Sequence, residues 1–301
     1  MKSKLLLFFL IFCYFISYTQ TFVDVDAVGS NDGTSWENAY TNLEDAILNS
    51  SEGDEIWIAE GLYFAPSTDN DVNVYFDIIH DISIYGGFAG TETSIDARDV
   101  EANPVILTGD QAQDDIDGNF DANKSDNNLH IMWIQDTISN ATIIDGLTFK
   151  GGNTQNADGS GNGRRGGAIL TYGSPIINNC TFTNNFGHFG GSIYPRGSDA
   201  DGTVITNCSF MQNQGGFGAA MYILAETDIV DCLFENNTAF GDGSRGGALY
   251  YNNVPGNIAN SIFRNNESTQ SSAGAIHFDG DDDNTEIVEL TISDCVFQGN
   301  I

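Results

Sequence analysis

The chain has 301 residues, of which 41% are hydrophobic, and it contains 34 glycines but only 5 prolines. This composition excludes a protein that is disordered over most of its length. The 42 acidic residues outnumber the 10 basic ones and give a formal charge of -32. Such a surface should attract divalent cations and repel nucleic acid and anionic membranes, so we expect no nucleic-acid partner.

Residues 1–19 have the features of a secretion signal. Two lysines precede an apolar run over residues 5–16, and Ser17 and Thr19 offer the small side chains that a signal peptidase reads. The run is too short for a comfortable membrane span. We therefore predict a secreted, extracellular protein that is cleaved after Thr19 and has no transmembrane segment in the remaining chain.

Residues 20–110 are predicted to contain a cap and the first strands of the fold. Strand-forming runs occupy residues 22–25, 55–59, 74–79 and 82–89. Residues 34–49 predict an amphipathic helix, because Thr34 and Glu37 fit a capping box and one face is apolar. That face consists of Trp36, Ala39, Tyr40, Leu43, Ala46 and Ile47.

Residues 111–128 form an acidic, Asn-rich insertion. Oxygen ligands crowded into a flexible segment suit calcium, so the insertion is either a weak calcium site or a solvated surface loop. The spacing does not fit an EF-hand, because Phe120 stands where a glycine is needed and Asp126 where a glutamate is needed. The same two interpretations apply to residues 279–283, and no cofactor is required. The candidate calcium ligands of the insertion are Asp114, Asp115, Asp117 and Asp121.

Residues 129–301 contain one short pattern five times. Each copy opens with a small-small-apolar step, at residues 166–169, 190–193, 218–221, 246–249 and 273–276. It closes with Cys or Ser, then Phe two residues later, then Asn three residues after the Phe. The Cys or Ser positions are Cys180, Cys208, Cys232, Ser261 and Cys295; the Phe positions are Phe182, Phe210, Phe234, Phe263 and Phe297; the Asn positions are Asn185, Asn213, Asn237, Asn266 and Asn300.

The opening steps recur every 24 to 28 residues, which is the period of a solenoid. The apolar runs are short and bounded by Gly and Asn, so each repeat predicts three short strands. Stacking at about 4.8 Å gives an all-β, single-stranded parallel β-helix. The helix over residues 34–49 would cap its first rung, which otherwise presents unpaired backbone to water. The chain ends at Ile301 without a closing cap, so we expect the sequence to be truncated at its carboxy terminus.

Equivalent residues of neighbouring rungs lie over one another in such a coil. The Cys and Phe of each copy share one face of a strand and should form two interior columns. The Asn side chains should form a ladder at a turn, with backbone that tolerates the left-handed conformation. Four cysteines remain once Cys13 leaves with the signal. Parallel Cβ vectors on adjacent rungs disfavour disulfides, so we favour buried free thiols.

The Gly-Gly-Ala-Ile step and the Phe-x-x-Asn signature resemble the repeats of chlamydial polymorphic outer-membrane proteins and similar bacterial surface proteins of the pectin-lyase-like superfamily. The match covers the second half of the chain, although the copies at 218–221 and 273–276 lose the literal motif. Residues 33–36, 53–61 and 86–92 are similar to the amino-terminal part of secreted bacterial β-helix proteins. This resemblance implies a right-handed coil and an adhesin-like protein, secreted or on the bacterial outer-membrane surface.

The superfamily also implies an alternative, an extracellular polysaccharide lyase or glycoside hydrolase. Arg165 and Arg245 lie three rungs apart, about 14 Å, which is too far for one site. No nucleophile-elbow, metalloprotease or phosphate-loop motif occurs. An enzyme should break the repeat with a charged cluster, but this chain repeats evenly, so we favour a noncatalytic scaffold that binds a polysaccharide or a cell-surface receptor. The histidines are scattered, at His80, His130, His188 and His277.

The residue after each opening step forms one further column. If this column faces outward, sugar rings could stack on it; if it faces inward, it is ordinary core. Strand alternation does not decide whether Ile193 or Tyr194 points inward, and we favour the core interpretation. The column begins at Leu170, and its candidate ligand-binding residues are Tyr194, Tyr222, Tyr250 and His277.

Overall fold

The computed structural model describes residues 19–65, 67, 71–157, 161–197, 202–270, 273–280 and 288–301. The predicted signal, apart from Thr19, lies outside these residues, as do positions 281–283 of the second acidic run. The described part contains one α-helix, α1 (Leu43–Asn49), and three short 3₁₀ helices at Ile95–Ala97, Thr154–Asn156 and Asn162–Arg164. None of its helices is long and apolar enough to cross a membrane.

The remaining regular structure of the described chain consists of short strands. In chain order these are β1 (Gln20–Val23), β2 (Glu55–Ala59), β3 (Gly61–Phe64), β4 (Phe76–Ile78), β5 (Ser83–Phe88), β6 (Val105–Thr108), β7 (Met132–Ile134), β8 (Ile143–Asp145), β9 (Leu147–Lys150), β10 (Ile169–Thr171), β11 (Ile176–Asn178), β12 (Thr181–Thr183), β13 (Phe186–Phe189), β14 (Ile193–Pro195), β15 (Thr203–Thr206), β16 (Ser209–Met211), β17 (Gln214–Phe217), β18 (Met221–Ile223), β19 (Thr227–Val230), β20 (Leu233–Glu235), β21 (Thr238–Ala239), β22 (Leu249–Asn252), β23 (Gly256–Ala259), β24 (Ile262–Arg264), β25 (Glu267–Ser268), β26 (Ile276–Asp279), β27 (Leu290–Ser293) and β28 (Val296–Gln298).

The strands pair in parallel and stack into long sheets. A nine-stranded sheet has the order β1-β2-β5-β8-β11-β15-β19-β23-β27, an eight-stranded sheet β28-β24-β20-β16-β12-β9-β6-β3, and a seven-stranded sheet β26-β22-β18-β14-β10-β7-β4. Successive turns of the chain add one strand to each sheet, and parallel strands joined by such crossovers coil with a right hand. The predicted right-handed parallel β-helix is therefore confirmed.

A fourth sheet was not predicted from the repeat. It has the order β13-β17-β21-β25 and lies between the eight- and seven-stranded sheets along the chain. Its strands begin directly after the closing Asn, in segments without a clear apolar period, such as Phe186–Phe189 and Thr238–Ala239. The middle rungs therefore have four strands, one more than the three expected.

A residue with left-handed backbone turns the corner between the nine- and eight-stranded sheets in each repeat. Asn and Asp adopt this conformation more readily than other side chains, because their short polar groups bond locally. This requirement explains why Asn or Asp precedes every Cys or Ser of the closing signature. The φ angles are 51° at Asn179, 53° at Asn207, 56° at Asp231, 50° at Asn260 and 52° at Asp294.

The phenylalanines of the closing signature form an interior stack that starts at Phe149. Their ring centroids are 4.7–5.0 Å apart and neighbouring planes lie within 7° of each other. Phe182, Phe210, Phe234 and Phe263 are fully buried, and each contributes about 1.5–3 kcal/mol through burial. Phe297, in the last described rung, is 49% exposed.

The asparagines of the same signature form a ladder beside this stack. Asn213 is typical: its Nδ2 donates to the carbonyl of Phe182 at 2.9 Å and to Oδ1 of Asn237 at 3.0 Å. The left-handed conformation that we expected for the ladder lies instead on the residue before each Asn, for example Asn236 with φ 57°. That residue makes the turn and leaves the ladder side chain free to point inward. The ladder runs through Asn185, Asn213, Asn237, Asn266 and Asn300.

The cysteines occupy one interior column as free thiols. Cys180, Cys208 and Cys232 are buried and Cys295 is partly buried. The backbone N–H of Cys180 donates to Sγ of Cys208 at 3.4 Å, and the hydroxyl of Ser261 takes the place of a thiol under Cys232 at 3.1 Å. Burial raises the pKa of Cys208, which keeps its thiol protonated and unreactive.

The predicted capping helix exists but is shorter than expected. It starts at Leu43, and Asn42 rather than Thr34 caps it, with Asn42 Oδ1 accepting from the N–H of Glu44 at 2.9 Å. The predicted capping box is wrong, because Thr34 is bonded to Asp32 at 2.6 Å and so belongs to a turn. Helix α1 packs against β1 and β4, which end their sheets, and thus covers the first rung. It buries Leu43, Ala46 and Ile47 there.

Candidate ligand-binding face

The tyrosine column lies on the outer face of the seven-stranded sheet. Ile193 and Leu249 are fully buried in the interior, so Tyr194 and Tyr250, the next residues in their strands, point outward. Register aligns Tyr222 with Tyr250 and Tyr250 with His277. The column therefore points outward, whereas we favoured an interior position. When both faces of a strand are buried, the alternation of side chains does not show which face is the interior one.

Outward orientation does not make the column an open platform. Tyr194 is only 2% exposed and Tyr250 only 4% exposed, although both lie outside the coil. The guanidinium of Arg165 lies 5.2 Å from the ring centroid of Tyr194, and the ring of Phe217 lies 6.0 Å from that of Tyr250. Tyr222 keeps a partly exposed ring, and burial raises the pKa of its hydroxyl.

Three further aromatic rings on this surface were missed from the sequence. Tyr75 lies just before β4, Trp133 within β7 and Tyr172 just after β10, and all three are partly exposed. Their ring centroids are 5.1 Å apart from Tyr75 to Trp133 and 6.1 Å from Trp133 to Tyr172. Trp133 pairs in register with Leu170, so extending the predicted column by one rung would have found it. We call the surface formed by Tyr75, Trp133, Tyr172 and Tyr222 the aromatic face.

Polar groups border the aromatic face. Asn162 accepts at Oδ1 from the hydroxyl of Tyr172 at 2.7 Å and from Nη1 of Arg165 at 2.6 Å. The guanidinium of Arg196 lies over the same ring, 5.9 Å from the centroid of Tyr172. Next to Trp133, the amide of Gln135 donates to Asp77 at 2.6 Å. Amides, hydroxyls and guanidinium groups therefore lie within reach of anything that rests on the rings.

A charged cluster ends the column at the last rungs. Asp279 accepts from Nη1 of Arg245 at 2.7 Å and from the hydroxyl of Tyr250, and lies 2.9 Å from Nε2 of His277. Burial raises the pKa of Tyr250 to about 12, and the hydrogen bond to Asp279 acts in the same direction. Burial opposes ionisation of Asp279, but its hydrogen bonds from Tyr250 and His277 hold its pKa below the usual range. This cluster could not be predicted from the sequence, because its members come from three separate strand and turn positions.

The structure separates the four predicted calcium ligands. A carboxylate oxygen of Asp114 lies within 4.8 Å of one from Asp110 and one from Asp126. Asp115 instead forms a buried ion pair with Lys124 at 2.7 Å. Asp117 pairs with Lys150 at 2.8 Å, and Asp121 is exposed outside the group of three. Three carboxylates around one point suit a hard cation such as calcium.

A large cavity lies away from the aromatic face. It has a volume of about 880 Å³ and separates residues 95–101 from the outer surface of the nine- and eight-stranded sheets. Arg98 and Asp145 line it and form an ion pair at 2.7 Å. The guanidinium of Arg98 also lies 5.3 Å from the ring centroid of Tyr85. These contacts join the cavity walls to each other.

Comparison with known proteins gave one structural likeness. No family model matches the chain, and no curated protein matches it either. Among solved structures, the chain is similar to the crystal structure of YbhC from Escherichia coli. The two share 15% identity with a TM-score of 0.42, over 100% of this chain and 88% of that chain.

Proposed function

We propose that the protein is a secreted, noncatalytic β-helix that binds a polysaccharide on the aromatic face. The observation that carries this proposal is the run of partly exposed rings of Tyr75, Trp133 and Tyr172 on three neighbouring rungs. The apolar faces of sugar rings pack against aromatic faces and bury area there. The bordering amides and hydroxyls supply directional hydrogen bonds for sugar hydroxyl groups.

The regular spacing of the coil supports a polymer as the ligand. Strands of the seven-stranded sheet repeat the same outward position at the inter-strand distance of about 4.8 Å. Tyr75 precedes β4, Trp133 lies within β7 and Tyr172 follows β10, so each of these neighbouring rungs presents one ring. A ligand with a repeating unit can therefore contact one ring per rung along the coil, and each added contact raises the overall affinity. A surface polysaccharide, attached to a cell or to a matrix, has this property.

A catalytic role is the second candidate, and the cluster of Arg245, Tyr250, His277 and Asp279 favours it. Elimination from a uronate needs a group that takes a proton and a cation that balances the carboxylate. Arg245 and Tyr250 are, however, both bonded to Asp279, which already offsets the charge of Arg245. We therefore keep the noncatalytic function as the first proposal.

Binding to a panel of immobilised polysaccharides tests the proposal. Trp133→Ala should weaken binding at least about tenfold, which corresponds to about 1.4 kcal/mol of lost contact, while the melting temperature shows that the coil persists. Tyr85→Ala is the matched control, because Tyr85 is also a partly exposed outward ring, but lies on the nine-stranded sheet. Equal losses in the two variants would contradict the assignment to the aromatic face.

The same polysaccharides separate binding from catalysis. We expect no release of unsaturated or reducing sugar ends during prolonged incubation with the purified protein. Release that disappears in His277→Ala and persists in His80→Ala would establish the second candidate and end the noncatalytic proposal. His80 serves as the control because it lies elsewhere, beside Ser50 at 3.1 Å.

A further inference from the structure

The basic side chains of the described residues fall into two groups. Five of them lie within ion-pair distance of a carboxylate, in the pairs Arg98–Asp145, Lys124–Asp115, Lys150–Asp117, Arg245–Asp279 and Arg264–Glu235. Among the described residues, Arg164, Arg165 and Arg196 have no such partner. In a chain with 42 acidic residues and 10 basic ones, a carboxylate partner is easy to find. The three arginines that have no carboxylate partner among the described residues therefore require a structural explanation.

All three arginines lie against aromatic rings at the border of the aromatic face. The distances from Cζ to the ring centroid are 5.8 Å for Arg164 over Phe189, 5.2 Å for Arg165 over Tyr194 and 5.9 Å for Arg196 over Tyr172. Contact with a ring holds a guanidinium in place but leaves its N–H groups, which lie in its plane, able to donate.

Arg165 and Arg196 converge on one point of the face. Nη1 of Arg165 lies 3.5 Å from the hydroxyl of Tyr172, and the guanidinium of Arg196 lies over the ring of that same tyrosine. Burial raises the pKa of Tyr194, and the positive charges of Arg165 and Arg196 both act against that rise. Arg196 is exposed and Arg165 is partly exposed, so a bound molecule can reach both.

We propose that the polysaccharide carries anionic substituents, sulfate esters or carboxylates, that bind between Arg165 and Arg196 beside the ring of Tyr172. The inference rests on the proposed function and adds the chemical class of the ligand. A guanidinium donates two parallel hydrogen bonds to such a group, and charge-assisted bonds of this kind are stronger than neutral ones. The uncharged part of the polymer lies on Tyr75 and Trp133.

The overall charge of -32 opposes the approach of any polyanion, so the inference requires a local attraction. At about 0.15 M ionic strength, charges more than about 8 Å away are largely screened, whereas direct contacts with two arginines persist. Affinities should therefore be compared at this ionic strength, where the distant acidic residues contribute least.

The test uses one sugar backbone in three charge states: dextran, dextran sulfate and carboxymethyl dextran. At matched ionic strength, we expect at least one charged polymer to bind about tenfold tighter than dextran or better, which is the effect of one charge-assisted contact. Comparing the two charged polymers distinguishes sulfate from carboxylate.

Arg165→Gln and Arg196→Gln should each remove most of the preference for charged polymers. Arg196→Lys should keep only part of that preference, because an ammonium lacks the planar fork. Arg264→Gln, on the eight-stranded sheet, is the control and should change nothing.

The outcomes separate this inference from the proposed function. Equal affinity for dextran and for both charged polymers, lost in Trp133→Ala, overturns the anionic ligand and keeps polysaccharide binding on the aromatic face. A preference for charged polymers that survives in both arginine variants also overturns the inference. Failure of the folded protein to bind any of these polymers, or any polysaccharide of the panel, overturns both proposals.

Discussion

Ala273 occupies a backbone position that the other repeats give to glycine. Its φ is 61°, while the equivalent Gly166, Gly190, Gly218 and Gly246 have φ between 56° and 71°. Left-handed backbone costs a residue with a Cβ about 1–2 kcal/mol, whereas glycine adopts it without that cost. The opening step of each repeat is therefore a conformational requirement, and its fifth copy meets it with strain.

Ala273→Gly should raise the free energy of unfolding by roughly 0.5–1 kcal/mol. The relief of the left-handed conformation exceeds the entropy that a glycine adds to the unfolded chain. Gly246→Ala is the converse change and should destabilise by at least about 2 kcal/mol, because a Cβ there would lie 2.0 Å from the carbonyl of Leu249. Denaturant titration of both variants measures the two effects. A loss of stability in Ala273→Gly would show that its backbone is not strained.

In the asparagine ladder, Asn237 should contribute strongly to the stability of the coil. Its Nδ2 donates to the carbonyl of Phe210, and its Oδ1 accepts from the N–H of Asn213 at 3.1 Å, all in the interior. Asn237→Ala leaves these buried groups without partners, and each costs about 1–3 kcal/mol. We expect a loss of several kcal/mol in the free energy of unfolding.

Asn236 supplies the control for this substitution. It precedes Asn237, is exposed and has φ 57°. Asn236→Gly suits that backbone, so it should leave stability unchanged within about 0.5 kcal/mol. Similar losses in the two variants would mean that the ladder contributes no more than an ordinary turn.

At the scale of elements, the coil could be predicted from the sequence because each repeat contains the residues that determine its own strands and turns. The period, the Cys and Phe columns and the interior Asn all follow from short-range pattern. The fourth sheet could not be found this way, since strands such as β21 have only two residues. The length of α1 was also misjudged, because Asn42 competes with Thr34 as a cap and the apolar pattern does not distinguish them.

The aromatic face was only partly predictable for a different reason. Tyr194, Tyr222 and Tyr250 stand in register, and the sequence showed this, but their exposure depends on Arg165, Phe189 and Phe217, which come from another part of each repeat. Trp133 lies in a rung that lacks the full repeat motif. Tyr172 lies two residues beyond Leu170, which occupies the column position in its rung. The convergence of Arg165 and Arg196 on one ring is a property of the coil rather than of any motif.

The acidic insertion is expected to bind calcium weakly and to be stabilised by it. Millimolar calcium should raise the melting temperature over that in chelator at matched ionic strength. The expected gain is about 1.4 kcal/mol at ten times the dissociation constant, through ligation by Asp110, Asp114 and Asp126. Asp114→Asn should abolish the shift, and Asp121→Asn should keep it. Equal melting temperatures with calcium and with chelator would contradict calcium binding by these three carboxylates.

At the scale of the whole molecule, the excess of acidic residues should govern how stability responds to salt. Ion pairs among the described residues number only five when histidine is set aside, so most carboxylates experience repulsion without compensation. Folding brings these like charges together, and the compact state is destabilised by their mutual repulsion. The interior columns must offset this cost along the full length of the coil.

Sodium chloride should therefore stabilise the protein. Raising it from about 0.01 M to about 0.15 M shortens the screening length from about 30 Å to about 8 Å, which weakens repulsion between rungs more than it weakens the close ion pairs. We expect the melting temperature to rise over this range and to level off above it, and potassium chloride to act equally, since screening does not depend on the identity of the monovalent cation. A melting temperature that falls with added salt would mean that the few ion pairs outweigh the net charge. A rise with sodium that potassium does not reproduce would point to a specific ion rather than to screening.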